Sequence, residues 1–207
     1  MEKVVVFSAN DEIVNIIENT GALAMHHKGF ADVLPAASGD YLDFIFVDMM
    51  WYKSFSLWMV IKRGYNVLFQ DVDLVWFKDP FPYLHNIVSS TEYPNKVDAI
   101  FTDDGQRGLR YSPFYANSGF YYVTYSEQTT YFAWSIMTGF PMIQRTGSHQ
   151  NVFTMRLQET MDLGKLQAKL LTLHDFPNGF NYHHNKTYMV DFLVEKKYQP
   201  CKRKTLL

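Results

Sequence analysis

Short apolar runs alternate with amphipathic stretches along most of the chain. Apolar runs bounded by polar or turn residues predict strands, whereas apolar residues spaced three or four apart predict helices. By this pattern we predict strands at residues 4–9, 43–50, 65–70, 98–102, 118–125 and 169–173. We predict helices at residues 13–17, 51–64, 126–140 and 149–161.

This alternation predicts an α/β fold. Because helical stretches join successive strands, we expect a Rossmann-type mixed, mostly parallel sheet with helices on both faces. Residues 67–69 are all apolar, so we expect their strand to be central and buried on both faces. Ser126 is the expected N-cap of its helix, and Gly64 is expected to end the helix before that strand. No repeat or linker interrupts the chain, which predicts one domain over residues 1–207.

The composition limits the classes of function. The 207 residues are 47% hydrophobic and 17% aromatic, which provides a core and leaves aromatic rings for a ligand cleft. The net charge is −2 and the pI is about 6.4, so nothing favours binding to nucleic acid or to an anionic membrane surface. No apolar run approaches the ~20 residues of a membrane span. The single cysteine, Cys201, excludes an intrachain disulfide.

The pair Asp71 and Asp73, separated by one valine, carries the clearest chemistry. It follows the apolar run 67–69, at the carboxyl end of a strand, where open α/β sheets bind ligands. Two carboxylates this close repel each other unless a positive charge lies between them. Paired oxygen ligands suit Mg²⁺ or Mn²⁺, which can in turn hold a diphosphate. The structural alternative, in which one aspartate caps a turn and the other is solvated, is disfavoured by the buried strand.

Two enzyme classes place an Asp-x-Asp motif at the end of a strand. Phosphatases of the haloacid-dehalogenase type use the first aspartate as nucleophile and the second as general acid. Their motif normally ends the first strand of the domain, whereas here a long segment of strands and helices precedes it. The other class is the sugar-nucleotide transferases, in which the motif chelates the metal.

Four stretches together resemble glycosyltransferase family 77, whose members are nucleotide-diphospho-sugar transferases. The stretches are GYNVLFQDVDLVWFKDPFP, YANSGFYYV, GSHQNVFTMRL and FPNGFNY, which occur in the order of the family between residues 48 and 182. The first is specific and the others are individually weaker. The family includes xylosyl- and arabinosyltransferases of the plant cell wall. The resemblance implies a GT-A fold and a metal-dependent transfer of a sugar, with retention, from a nucleoside diphosphate sugar to a hydroxyl acceptor.

The same resemblance implies roles for particular residues. Asp71 and Asp73 would bind Mn²⁺ or Mg²⁺ together with the donor diphosphate, and Asp73 would be the more direct ligand. Lys53 would meet a phosphate or the donor sugar. Asn117 and Ser118 would hydrogen-bond the donor sugar, and Gly119 would let the backbone approach the ligand. For Lys53 the alternative is a solvated helix lysine, and for the segment around Asn117 it is a plain turn into a strand.

Gln150 would lie near the anomeric carbon and, with Asn117, is a candidate catalytic residue. Related retaining transferases often carry Asp beside this Gln, but here the neighbours are His149 and Asn151. A carboxylate nucleophile is therefore absent at this place. Either the reaction needs no enzyme nucleophile, as front-face mechanisms propose, or the activity is weakened.

The resemblance also leads to expectations about the ends of the chain. His183 or His184 would be a third metal ligand, although the family places such a ligand after a further strand. We therefore expect the chain to be incomplete at its C-terminus and to lack an N-terminal anchor. The expected partners are a nucleoside diphosphate sugar and a glycan or glycoprotein acceptor, in the Golgi lumen. A sugar-nucleotide-binding relative without activity is the main alternative.

Overall fold

The computed structural model describes residues 4–8, 11–31, 34, 43–91, 96–105 and 114–178. Their strands are β1 Val5–Ser8, β2 Leu23–His26, β3 Val67–Gln70, β4 Ala99–Asp103, β5 Ala116–Val123 and β6 Ala168–Leu170. Their helices are α1 Val14–Asn19, α2 Lys28–Ala31, α3 Phe44–Ile61, α4 Phe81–Ser89, α5 Glu127–Met137, α6 Phe140–Thr146 and α7 His149–Asp162.

The main sheet has the strand order β3-β5-β4-β6. Strand β5 pairs antiparallel with both β3 and β4, and only β4 and β6 are parallel. The expectation of a mostly parallel sheet is therefore wrong for this sheet, although a mixed α/β fold is confirmed. The reason is that β5 enters in the reverse direction between β3 and β4, which the alternation of elements along the chain does not reveal. Strands β1 and β2 form a separate parallel pair.

Strand β3 lies at the edge of the sheet formed by the described residues, not at its centre as predicted. Its side chains are nevertheless covered on both sides. Val67 and Phe69 pack against the core on one face of the sheet, and Leu68 packs against the core on the other. The run is apolar because both faces are covered, and this pattern does not distinguish an edge strand from a central one.

Helices cover both faces of the main sheet, as predicted. On one face α3, α5 and α7 pack around Phe101 and Tyr121. On the other face Leu84 and Ile87 of α4 contact Ile100 of β4. The core is thus two layers of helix with the sheet between them, and the carboxyl end of β3 lies where α3, β5 and α7 meet.

Helix α3 corrects the prediction of a strand at residues 43–50. Asp43 is its N-cap and accepts a hydrogen bond from the Phe46 amide at 2.7 Å. The helix is buried on several sides, with Val47, Tyr52 and Leu57 in three separate apolar clusters. Such a helix has no polar stripe, so its first half resembles a strand in sequence.

Among the described residues, α3 is long and apolar enough to cross a membrane by length and composition alone, which corrects the expectation that no apolar stretch approaches a membrane span. The helix packs against β3, α5, α6 and α7, and 39% of it is buried.

Several predicted elements are confirmed and some short ones are missing from the prediction. Strands β1, β3, β4, β5 and β6 and helices α1, α5 and α7 lie where predicted within a few residues, and Ser126 caps α5. Gly64 follows α3 with φ +88°, as a residue that ends a helix. Elements β2, α2, α4 and α6 are missing from the prediction because each is short, and α4 begins between Pro80 and Pro82.

Replacing Phe153 with alanine is expected to destabilise the protein by about 3–5 kcal/mol. The side chain is 2% exposed, and its ring packs against those of Phe101, Tyr121 and Phe132. The measurement is the free energy of urea unfolding. Phe44→Ala is the control, since Phe44 is 86% exposed, and it is expected to change that free energy by less than about 0.5 kcal/mol. Equal effects of the two substitutions would contradict the assigned core.

Candidate active site

The structure brings most of the predicted site residues to one end of the main sheet. Lys53 lies midway along α3, and Asp71 follows the last residue of β3. The Asp71 amide donates to the carbonyl of Gly119 in β5 at 2.7 Å, which joins the loop to the sheet. Ser118 of β5 contacts Gln150 in the first turn of α7. Four elements distant in sequence therefore meet around the aspartate pair.

Lys53 and Asp71 form a close ion pair. The Lys53 Nζ lies 2.6 Å from Oδ1 and 2.9 Å from Oδ2 of Asp71. The Lys53 side chain is only 12% exposed, and its Nζ lies 5.3 Å from the centre of the Phe69 ring. The positive charge that two neighbouring aspartates require is thus partly supplied by the protein. Contact of Lys53 with a phosphate stays a prediction.

Burial acts on both members of this pair. It lowers the pKa of Lys53, and the carboxylates of Asp71 and Asp73 oppose this change. It raises the pKa of Asp71, an effect that Lys53 opposes and Asp73 reinforces. The shared cause is loss of water around both charges, which makes each ion depend on a partner of opposite sign.

Asp73 differs from Asp71 in its surroundings. Its side chain is exposed, and within the described part of the chain it has no hydrogen bond or ion pair. The neighbouring Val72 is 97% exposed. The Asp73 carboxylate therefore stands in solvent beside the Lys53–Asp71 pair, with its oxygens available to a ligand.

The two carboxylates fit a divalent metal that keeps much of its shell for other ligands. No group of three or more His, Cys, Asp or Glu side chains able to hold a metal occurs in the described ranges. Mg²⁺ is commonly bound by one or two carboxylates together with substrate phosphates and water. His183 and His184 lie outside the described residues, so their predicted role stays a prediction.

Gly119 makes room for the Asp71 carboxylate. A Cβ atom at this position would lie 2.8 Å from Asp71 Oδ2 and 2.9 Å from Asn117 Oδ1. Both distances are shorter than real Cβ contacts allow. Gly119 is predicted to let the backbone approach a ligand. Its missing side chain also leaves room for the carboxylate of Asp71, a predicted metal ligand, beside the backbone.

Asn117 holds the start of β5 in place. Its Nδ2 donates to Asp104 Oδ1 at 3.0 Å, and its Oδ1 accepts the Gly119 amide at 2.6 Å. Both ends of the side chain thus contact the protein, and its contact with a donor sugar stays a prediction. Asp104 was not singled out from the sequence, although it lies two residues after the predicted strand at residues 98–102.

Gln150 and Ser118 are brought together as a pair. The Gln150 Oε1 accepts the Ser118 amide at 3.1 Å and the Ser118 hydroxyl at 3.0 Å. Because a backbone amide can only donate, these bonds define which end of the Gln150 amide is oxygen. The Gln150 Nε2 has no hydrogen bond within the described residues and can donate to a ligand.

The residues around Gln150 are buried and have roles that the sequence did not indicate. His149 is 5% exposed, and burial, with a contribution from Lys53, holds its pKa well below the ordinary value. Asn151 accepts a hydrogen bond from the Tyr115 hydroxyl at 2.8 Å. Burial and the nearby Asp71 raise the pKa of Tyr121 well above its usual range. His149 and Tyr121 are therefore neutral groups behind the carboxylates.

The neutral state of His149 leads to a prediction about stability and pH. The unfolded chain protonates this histidine near its ordinary pKa of 6.5, whereas the folded chain does so only at lower pH. Stability is therefore full above that value and falls as the pH drops from it toward the folded-state pKa, by at most about 1.4 kcal/mol per pH unit.

Urea unfolding between about pH 7.5 and pH 5 measures this loss. His149→Gln is expected to lose less stability over the range than the wild type. The control is His85→Gln, at an exposed histidine of α4, which is expected to keep the wild-type slope. If both variants keep the wild-type slope, the assignment to His149 is wrong.

Comparison with known proteins identifies the family of the chain. The sequence profile of the nucleotide-diphospho-sugar transferases matches residues 1–205. The chain belongs to this family. The resemblance found in the four motifs is thereby confirmed, and the family is one of sugar transferases, as predicted. The family is not that of the dehalogenase-type phosphatases, and the alternative reaction considered for Asp71 and Asp73 has no support.

The similar proteins include several named glycosyltransferases. A UDP-D-xylose:L-fucose alpha-1,3-D-xylosyltransferase of Arabidopsis thaliana is 44% identical over 48 residues, which are 23% of this chain and 11% of the relative. A UDP-galactose:fucoside alpha-3-galactosyltransferase of Dictyostelium discoideum is 27% identical over 140 residues, 59% of this chain and 20% of the relative. The beta-arabinofuranosyltransferase RAY1 of Arabidopsis thaliana is 34% identical over 77 residues, 37% of this chain and 13% of the relative.

The matched stretches cover only 11% to 20% of the length of these three relatives. No solved structure matches the chain.

Proposed function

We propose that the site at the end of β3 binds a nucleoside diphosphate sugar through a divalent cation, Mn²⁺ or Mg²⁺, and transfers the sugar to a hydroxyl acceptor. The observation that carries the proposal is the arrangement of Asp71 and Asp73. One carboxylate is fixed by Lys53 and fitted against Gly119, and the other is exposed without a hydrogen bond or ion pair in the described part of the chain.

The two carboxylates would hold the cation with the donor diphosphate. When bound, the metal supplies charge neutralisation at the departing diphosphate. Lys53 orients the Asp71 carboxylate and places a second positive charge at the same end of the sheet, where the leaving group would carry negative charge. The ion pair thus prepares the site before any ligand arrives.

Gln150 would orient the donor sugar. Its Oε1 is held by Ser118, so its Nε2 is presented in a defined direction and can donate to a sugar hydroxyl. Asn117 fixes the backbone of Gly119, so only its remaining hydrogen-bonding capacity is available to the donor sugar. Neither neighbour of Gln150, His149 or Asn151, is a carboxylate nucleophile. The retention that the family resemblance implies would therefore follow a front-face route and not a double displacement.

The relatives suggest the class of donor and acceptor. Their names specify UDP-xylose and UDP-galactose as donors and fucose or a fucoside as acceptor. We extend this to a UDP-sugar donor and a saccharide acceptor, free or on a glycoprotein, for the present chain. The Golgi lumen is the location that fits such a reaction within this family.

Isothermal titration of the chain with UDP, with and without Mn²⁺, tests the donor site. The expected result is binding that requires Mn²⁺. Absence of binding under both conditions would contradict the proposal. Release of UDP from a panel of UDP-pentoses and UDP-hexoses in the presence of saccharide acceptors then tests transfer. Metal-dependent UDP binding without turnover would instead favour a non-catalytic sugar-nucleotide-binding protein.

A further inference from the structure

An aromatic groove lies away from the site of Asp71 and Asp73. It has a volume of about 380 Å³ and runs between the end of α3 and the first turns of α5. A volume of this size is within the range of small-molecule sites. Four aromatic side chains and two charged ones form most of its lining, namely Trp58, Tyr125, Tyr131, Trp134, Lys62 and Glu127.

The aromatic groove is at the opposite end of β3 from the aspartate pair. Lys62 follows α3 and precedes β3, and the Tyr125 amide donates to Asn66 Oδ1 at 2.8 Å, just before β3 begins. Asp71 follows the other end of this strand. Four residues of extended chain separate the two places by about 13 Å, so they are distinct sites.

Three aromatic side chains of the groove are about half exposed to solvent. Tyr125 and Tyr131 are each 49% exposed, and Trp134 is 46% exposed. Tyr131 and Trp134 are neighbours on one face of α5, with ring centres 6.0 Å apart and planes inclined by 35°. A capping box at Ser126 and Thr129 fixes the start of this helix. The groove therefore presents a preformed aromatic surface on a rigid element.

Charges of both signs lie in and beside the groove. Lys62 Nζ lies 3.4 Å from the centre of the Trp58 ring, Lys165 Nζ lies 5.8 Å from that of Tyr131, and Glu127 provides one carboxylate. The two ammonium groups lie over separate rings and do not form a basic cluster of the kind that binds a polyanion. A neutral ligand with an apolar face and a hydroxylated edge matches both the rings and the polar groups.

We propose that the aromatic groove binds a neutral saccharide. A sugar ring presents C–H groups on its faces, which pack on the rings of Tyr131 and Trp134, and hydroxyl groups at its edge. Glu127 can accept hydrogen bonds from these hydroxyls, as can the Thr130 hydroxyl oxygen, whose proton is donated to the Ser126 carbonyl, and Lys62 can donate to them. The groove thus gives the chain a saccharide contact outside the donor site. The identification of this saccharide as part of the acceptor rests on the proposed function, whereas the binding of a saccharide in the groove does not.

The test uses the full 207-residue chain with xylotetraose, cellotetraose and methyl α-L-fucoside as probes. Tryptophan fluorescence and titration calorimetry measure binding to the wild type and to Trp134→Ala and Tyr131→Ala. The control is Tyr83→Ala, because Tyr83 is also partly exposed, at 41%, but lies on α4 against the other face of the sheet. We expect at least one probe to bind, with affinity at least about tenfold lower in both groove variants and unchanged in the control.

Two results would overturn the proposal: binding of no probe by the wild type, or equal affinity of the wild type and the groove variants. Sedimentation of the same proteins adds a third, since a dimer that Trp134→Ala dissociates would assign the groove to self-association. Binding of UDP with Mn²⁺ is measured in parallel and is expected to be unchanged in Trp134→Ala. If the wild type binds a saccharide but not UDP with Mn²⁺, the proposed donor site is contradicted and the proposed saccharide site is not.

Discussion

Replacing Asp73 with alanine is expected to abolish the Mn²⁺-dependent part of UDP binding. The carboxylate is exposed and has no hydrogen bond or ion pair in the described part of the chain, so its loss would remove the proposed metal ligand without removing a contact that supports the fold. We expect the affinity for UDP in the presence of Mn²⁺ to fall by about 100-fold or more, which corresponds to ~2.7 kcal/mol. Titration calorimetry with and without Mn²⁺ measures this change.

Asp162→Ala is the matched control for this experiment. It makes the same chemical change at an exposed residue at the end of α7, about 18 Å along the helix from Gln150. We expect it to bind UDP and Mn²⁺ as the wild type does, and both variants to keep wild-type unfolding. Unchanged metal-dependent binding in Asp73→Ala would exclude Asp73 as a ligand.

The substitution Gly119→Ala is expected to damage the same site from the backbone side. The added Cβ would lie 2.8 Å from Asp71 Oδ2, so the carboxylate must move. Movement of this group breaks its contacts with Lys53, at 2.6 Å and 2.9 Å, and leaves a buried ammonium without its partner. We expect UDP affinity in the presence of Mn²⁺ to fall by about tenfold or more, although residue 119 offers no ligand side chain.

Stability measurements separate this local effect from unfolding. The atoms that a Cβ would meet belong to the ends of two side chains, Asp71 and Asn117, which can shift while β5 stays paired. The urea unfolding transition is therefore expected to remain cooperative. Gly29→Ala is the control, since its added Cβ would meet no atom closer than 3.4 Å. If Gly119→Ala binds UDP and Mn²⁺ as tightly as Gly29→Ala does, Gly119 does not shape the site.

The sequence predicted those elements whose pattern is local. Strands β3 and β4 are short apolar runs between turn residues, and Ser126 and Gly64 are the residue types that begin and end helices. The first half of α3 was mistaken for a strand because a helix packed on several sides is apolar all round. Strand β3 resembles a central strand in sequence because both of its faces are covered, although it lies at the edge of the sheet formed by the described residues.

Some features of the site likewise follow from the sequence, and others follow only from the tertiary structure. The two aspartates are close in sequence, so their pairing and the prediction that they bind a divalent cation follow from the sequence by itself, as does the family to which the chain belongs. The pairing of Asp71 with Lys53, the space that Gly119 provides and the bond of Gln150 to Ser118 join different elements. These contacts depend on how β5 enters the sheet and where α3 and α7 pack, which only the tertiary structure decides, because packing between distant segments leaves no local pattern in the chain.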